Sequence, residues 1–187
     1  MIDDRLVFYE GKHVRLKVLS PQDVVESDWV GWFNDESMST YNQHHYFPNT
    51  FDQQQNILAS CVSSHKLQLG IVDRAHPDKI CGVASLSAIN WIHRHAEIAG
   101  IQATKHTKIN PALFLETWSI MLRHGFEQFG LNKIYGGTYN PHVTDALKRV
   151  FNFEVEGVQK RHAYKNGAYR DIVLVAVFKD TVKYPEF

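Results

Sequence analysis

HAEIAGIQATKHTKINPALFLETW, residues 95–118, places a strand, a basic linker and a helix in direct succession. Residues 95–103 read as a strand. Asn110 can cap a helix, and Pro111 suits the first helical position, where a missing N–H costs nothing. The start of a helix exposes unpaired backbone N–H groups that can hold an anion, but Pro111 has no N–H to contribute. Leu115, Trp118, Leu122, Phe126 and Phe129 then recur at helical spacing, which predicts a core-facing stripe closed by Gly130.

On the C-terminal side, KIYGGTY at 133–139 reads as a strand, and a strand that follows a helix implies parallel pairing somewhere in the sheet. A short helix over about 142–150 and two closing strands joined at Asn166-Gly167 follow. On the N-terminal side, residues 12–19, 67–73 and 80–90 read as strands, and the short polar links from 67 onward predict an antiparallel meander. Ser20 and Pro21 open a helix that carries Val24, Val25 and Trp29 and fades at 32–35. A second helix is expected from about Thr50 to Ser63, with Phe51, Ile57, Leu58 and Cys61 on its apolar side. The loop SMSTYNQHHYFPN, 37–49, separates the two. The whole chain, 1–187, reads as one α+β domain without repeats or linkers.

Twenty basic residues balance twenty acidic ones, so a general nucleic-acid binder, which carries a basic excess, is not expected, although Lys105, His106 and Lys108 form a local basic patch. No acidic run is present to receive a basic tail or a polyamine. Cys61 and Cys81 form no zinc spacing and no disulfide framework, and their apolar neighbours predict buried thiols. No apolar run approaches the ~20 residues of a membrane span, and no signal pattern opens the chain, so a cytoplasmic protein is expected. Eleven histidines raise the question of a metal. His93 and His95 share a strand face and His44 adjoins His45, but no cysteine or carboxylate pair completes a ligand set, and no metal is expected.

Four stretches resemble the GNAT superfamily of N-acetyltransferases, in the branch of ribosomal-protein N-terminal and amino-sugar acetyltransferases. WFND at 32–35 looks like the Trp-x-Asn-Asp after the first helix, and HAEIAGI at 95–101 like the Ala-Glu-Ile strand. FEQFGLNKI at 126–134 resembles the end of the cofactor helix with its following strand. EGVQKRHAYKNGAYRDIVLVAVF at 156–178 resembles the closing Glu-Gly-x-x-Arg and Gly-x-Tyr-x-Asp hairpin. The resemblance implies an α/β/α sandwich on a mixed, splayed, mostly antiparallel sheet, with acetyl-CoA wedged between the 95–103 and 133–139 strands. It implies acetyl transfer from acetyl-CoA to a primary amine, with Ile101, Gln102 and Ala103 beside the cofactor arm and Asn140 near it.

The phosphate loop departs from the family pattern. Where the family has Gln/Arg-x-x-Gly-x-Gly/Ala, this chain has Thr107-Lys108-Ile109-Asn110-Pro111-Ala112, and only Ala112 agrees. Losing one charge-assisted donor costs roughly 1.5–3 kcal/mol of binding. Lys105, His106 and Lys108 can supply replacement donors, because an ammonium binds phosphate as a point charge. Lys105, Lys108, Asn110 and Ala112 therefore complete the candidate cofactor site.

Glu97 occupies the family's strand-glutamate position and has two readings: a general base, or a structural carboxylate paired with Arg94, His95 or Lys133. The helix tyrosine that protonates the departing thiolate in related enzymes is replaced near Lys148; Tyr139 and His142 are the candidate substitutes, each with a structural reading beside it, and water is the alternative acid because a CoA thiolate is a good leaving group. Trp32, Tyr41, His44, His45 and Tyr46 form the expected acceptor wall, which suits a sugar face and points to an amino-sugar nucleotide. A protein N-terminus is the alternative acceptor, and a non-catalytic sensor or assembly domain the alternative role. The closing strands offer a surface for homodimerisation.

Overall fold

The computed structural model describes residues 3–42, 44–103 and 111–187. The strands are β1 (Val7–Glu10), β2 (Val14–Val18), β3 (Val62–Ser63), β4 (Lys66–Asp73), β5 (Gly82–Asn90), β6 (His95–Gln102), β7 (Lys133–Thr138), β8 (Glu154–Lys165) and β9 (Ala168–Phe178). The helices are α1 (Pro21–Glu26), α2 (Trp29–Asn34), α3 (Phe51–Leu58), α4 (Pro111–Arg123) and α5 (Pro141–Phe151). The strands form one sheet in the order β1-β2-β4-β5-β6-β7-β9-β8, with β3 pairing the start of β4. Pairing is antiparallel throughout except between β6 and β7, which α4 connects as a parallel crossover. The sheet is mixed and mostly antiparallel, as expected.

Side chains alternate across the sheet and divide the interior into two cores. Leu16, Leu69, Leu86, Ala96, Ile98, Ile134 and Val175 join Trp118, Met121 and Leu122 of α4 and Leu147 and Phe151 of α5. On the opposite face Val72 and Val83 pack with Val24 of α1 and Trp29, Val30 and Trp32 of α2. A buried carboxylate ties α4 to the N-terminal hairpin. Glu116 accepts from the backbone N–H groups of Lys12 (2.6 Å), His13 (2.7 Å) and Val14 (3.0 Å). It has no room for a side chain at Gly11, where a Cβ would meet Glu116 Oε1 at 2.6 Å.

Several boundaries differ from expectation for local reasons. The expected helix from Ser20 breaks into α1 and α2, because Ser27 is extended and its hydroxyl folds back onto the Asp23 carbonyl. α3 stops at Leu58, and Val62–Ser63 pairs with β4 instead of prolonging the helix. Its inward face carries Gln54, which is buried and accepts from Asn49 Nδ2, whereas Phe51 and Ile57 are exposed. The helix from Pro111 changes to a π turn over His124–Gln128 before Gly130 ends it with φ +64°. The closing turn is at Asn166-Gly167, both with positive φ, as the sequence predicts.

Candidate active site

The parallel pair β6·β7 is short. His95 lies opposite Lys133, Ala96 opposite Ile134 and Glu97 opposite Tyr135, and pairing stops there. Beyond that point β6 remains bonded to β5 as far as Gln102, and β7 remains bonded to β9 as far as Thr138. The two strands therefore diverge from a vertex at Glu97 and Tyr135. Gly136 allows the close approach at the vertex, since a Cβ there would stand 3.1 Å from the Ile98 carbonyl oxygen. From Ile98 onward no strand pairs the β7-facing edge of β6 among the described residues. That edge presents main-chain donors and acceptors at strand spacing.

Alternation sends Ala96 and Ile98 into the core beneath α4 and Glu97 to the other face. Glu97 is half-buried and makes no hydrogen bond or ion pair among the described residues. Lys133, one of its expected partners, donates instead to Glu156 at 2.6 Å. Tyr135 beside it is half-buried, and burial, then the Glu97 charge, push its phenol above the usual range, with Lys133 opposing. The Tyr135 hydroxyl has no hydrogen-bond partner among the described residues. The His95 ring meets the Tyr135 ring edge-on at 5.6 Å and stacks on His93 at 6.3 Å. His95 Nδ1 is buried without a partner among the described residues.

The loop between α2 and α3 covers the far end of β7. Tyr139 donates its hydroxyl proton to the Asn42 carbonyl at 2.6 Å, and its ring lies 6.3 Å from that of Tyr41. Lys165, at the tip of the β8–β9 hairpin, is 4% exposed; its Nζ donates to the His44 carbonyl at 2.6 Å and sits 4.7 Å from the Tyr46 ring centre. Burial lowers the Lys165 pKa, with Glu36 opposing. Tyr46 donates its hydroxyl to the Tyr164 carbonyl, and His44 packs on Phe33 with ring centres 4.3 Å apart.

The structure thus gathers Tyr41, His44, Tyr46 and Tyr139 on one wall. His45 adjoins them in the left-handed region at φ +65° and is exposed. Trp32 lies apart from the wall surface, 3% exposed in the second core. Asn140 caps α5, its Oδ1 accepting from His142 N at 3.0 Å. Ile101 packs toward the second core, Gln102 pairs with Gly82, and the Ala103 N–H donates to the Cys81 carbonyl at 2.7 Å. Ala112 stands in the first turn of α4. Lys105, His106, Lys108 and Asn110 lie outside the described residues, so the loop that was expected to meet the phosphates does too.

Tyr135 and Lys165 were missed at the sequence level. Tyr135 is visible in KIYGGTY, but the parallel register that sets it against Glu97 is not a property of either segment alone. Lys165 precedes a hairpin turn, where a lysine normally lies in solvent. The thiols offer no competing nucleophile: Cys61 is buried, and burial pushes the Cys81 thiol up to about 11. The described residues hold no group of three metal-binding side chains, and none of their helices is long and apolar enough to cross a membrane.

No protein-family model matches the chain, and no curated protein matches its sequence. Solved structures do match its fold. A spermidine N-acetyltransferase from Vibrio cholerae, in complex with CoA and spermine, superimposes with a TM-score of 0.78 at 21% identity over 91% of this chain and 98% of its own. A protein described as a probable acetyltransferase superimposes with a TM-score of 0.79 at 18% identity, over 94% of this chain and 98% of its own. The fold is that of the GNAT N-acetyltransferases.

Proposed function

We propose that this chain, built on the GNAT fold, transfers an acetyl group from acetyl-CoA to the primary amine of a small molecule. The observation that carries this reading is the Glu97 carboxylate, without a partner among the described residues, at the vertex between two diverging parallel strands. The residues present fit the cofactor. The free edge of β6 suits an extended arm bearing amides, and Gly136 keeps the vertex clear of side chains. Ile101 and Gln102 continue that edge, Ala103 follows it, and Ala112 stands at the start of the next helix, with Lys105, Lys108, Asn110 and Asn140 as further candidates for cofactor contact. Acetyl-CoA bound there supplies a thioester carbonyl open to attack by an amine.

In this reading Glu97 takes the proton that the amine must lose as its nitrogen bonds to carbon, since no cation among the described residues neutralises the carboxylate. Tyr139 serves the acceptor side in this reading as an anchor for the loop, since its hydroxyl proton is committed to the Asn42 carbonyl. Tyr41, His44, His45 and Tyr46 then form the acceptor wall. The finer reading is an amino-sugar nucleotide, because aromatic faces pack on sugar rings and imidazoles bond hydroxyls. A polyamine, such as the spermine held by the Vibrio cholerae protein, would bring several positive charges to a wall whose buried ionisable group is Lys165.

The test is release of free thiol from acetyl-CoA in the presence of amino-sugar nucleotides, spermidine, or short peptides with free N-termini. Turnover with the sugars that disappears in Glu97→Gln supports the reading. Calorimetric binding of acetyl-CoA with no transfer to any amine supports a non-catalytic domain, and no binding overturns the proposal.

A further inference from the structure

Acetyl transfer leaves one proton to collect from the amine and one to deliver to the departing sulfur. From the geometry of the fork we infer that Glu97 and Tyr135 perform both tasks as a pair. This rests on the acetyl-transfer reading above and goes beyond it by naming the acid and its recharging partner.

Three observations carry the inference. First, the register sets Glu97 and Tyr135 directly opposite each other on the last paired rung of β6·β7, on the same face of the sheet. Second, the strands part immediately beyond that rung, so both side chains stand where the free edge of β6 begins. Third, among the described residues the Tyr135 hydroxyl has no hydrogen-bond partner. Tyr139, the tyrosine just past the strand, has committed its proton to a carbonyl 2.6 Å away. Tyr139 also lies four residues beyond Tyr135, roughly 13 Å from the rung at ~3.3 Å per extended residue.

The proton balance closes on these two residues. The amine nitrogen bonds to the thioester carbon while Glu97 takes the amine proton. As the carbon–sulfur bond breaks, its electron pair stays on sulfur, and Tyr135 gives its hydroxyl proton there. Glu97 then returns the collected proton to the Tyr135 phenolate. The pair ends as it began, a carboxylate beside a phenol, and the products are the acetamide and the free thiol. A phenol is protonated at neutral pH, the state a donor must start in, and burial and then the Glu97 charge push it further that way, with Lys133 opposing. His95 and Lys133 also flank the ring, and Tyr135→Phe leaves those contacts in place.

A double-mutant cycle on kcat, with acetyl-CoA as donor and spermidine or glucosamine 1-phosphate as acceptor, tests the pair. Tyr135→Phe is expected to lower kcat by about 100-fold, within the usual range for a lost general acid, with KM for both substrates unchanged. Combining it with Glu97→Gln is expected to cost little beyond Glu97→Gln alone, because the two residues carry one proton. Tyr135→Phe at wild-type rate overturns the inference. Multiplied losses in the double variant overturn it too, since two independent roles would behave that way. Replacing Tyr135 by 3-fluorotyrosine preserves the ring packing with a more acidic phenol; a changed kcat at unchanged acetyl-CoA affinity supports proton donation, and an unchanged kcat overturns it. Wild-type protein that acetylates none of these amines, nor the amino-sugar nucleotides and peptides above, overturns the acetyl-transfer reading itself.

Discussion

A carboxylate without a cation is costly inside a protein unless something offsets it, and this chain places two such groups to different ends. Glu116 is offset by three backbone N–H groups, so its role is to hold structure. Glu116→Ala strands those donors in a buried site and should cost roughly 3 kcal/mol or more, read as a lowered urea midpoint. Glu97 has no such offset among the described residues and stands at the fork. Glu97→Gln should lower kcat by about 100-fold or more while acetyl-CoA affinity measured by calorimetry is unchanged; equal turnover removes it as the base. Lys165 acts through the loop it holds. Lys165→Met should raise the KM for the amine by about tenfold, the equivalent of one charge-assisted hydrogen bond, and leave acetyl-CoA affinity unaltered. Steady-state kinetics with each substrate varied separates the two.

At the scale of elements, the fork depends on close backbone passage. A Cβ at Gly82 would meet the Ile101 carbonyl oxygen at 2.5 Å, a contact with main chain that cannot rotate away. Gly82→Ala should therefore push the end of β6 out of line, lower stability by about 1–3 kcal/mol and weaken acetyl-CoA binding. A denaturation curve and a titration on the same sample check both. Element identity was legible in the sequence wherever periodicity and punctuation agreed. Pro111 begins α4 and Asn166-Gly167 turns the last hairpin, as each residue's backbone preference requires. Where a single polar side chain decided the outcome, the pattern misled: Gln54 takes the inward position in α3 through its bond to Asn49, against the apolar choice of Ile57. The site was legible in part for the same reason. Glu97 is marked by its apolar neighbours, whereas the partnership with Tyr135 arises only when two strands distant in sequence take a particular register.

For the molecule as a whole, acid should act through histidines held neutral. Burial lowers the His124 pKa below 6.5, and its ring is bonded to the Tyr9 hydroxyl at 2.6 Å. The unfolded chain therefore binds this proton first as pH falls through 6.5, and stability declines from there down to the lower folded pKa. The His44 pKa is lowered in the same direction by burial and by Lys165. Melting temperature should be level above that window and fall through it, and His124→Gln should flatten part of the fall. Melts across a pH series measure it.

The bond set of Glu116 also governs when the molecule can be completed. A ribosome makes the chain from its first residue, and the N–H groups of residues 12–14 emerge 102 to 104 residues before the carboxylate that satisfies them. Until α4 is synthesised, the turn between the first two strands must leave those donors to water, so the N-terminal edge of the sheet is made first and locked late. Folding of this chain is thereby tied to a contact of long sequence separation, which slows the search for the native state and delays closure until Glu116 has been translated.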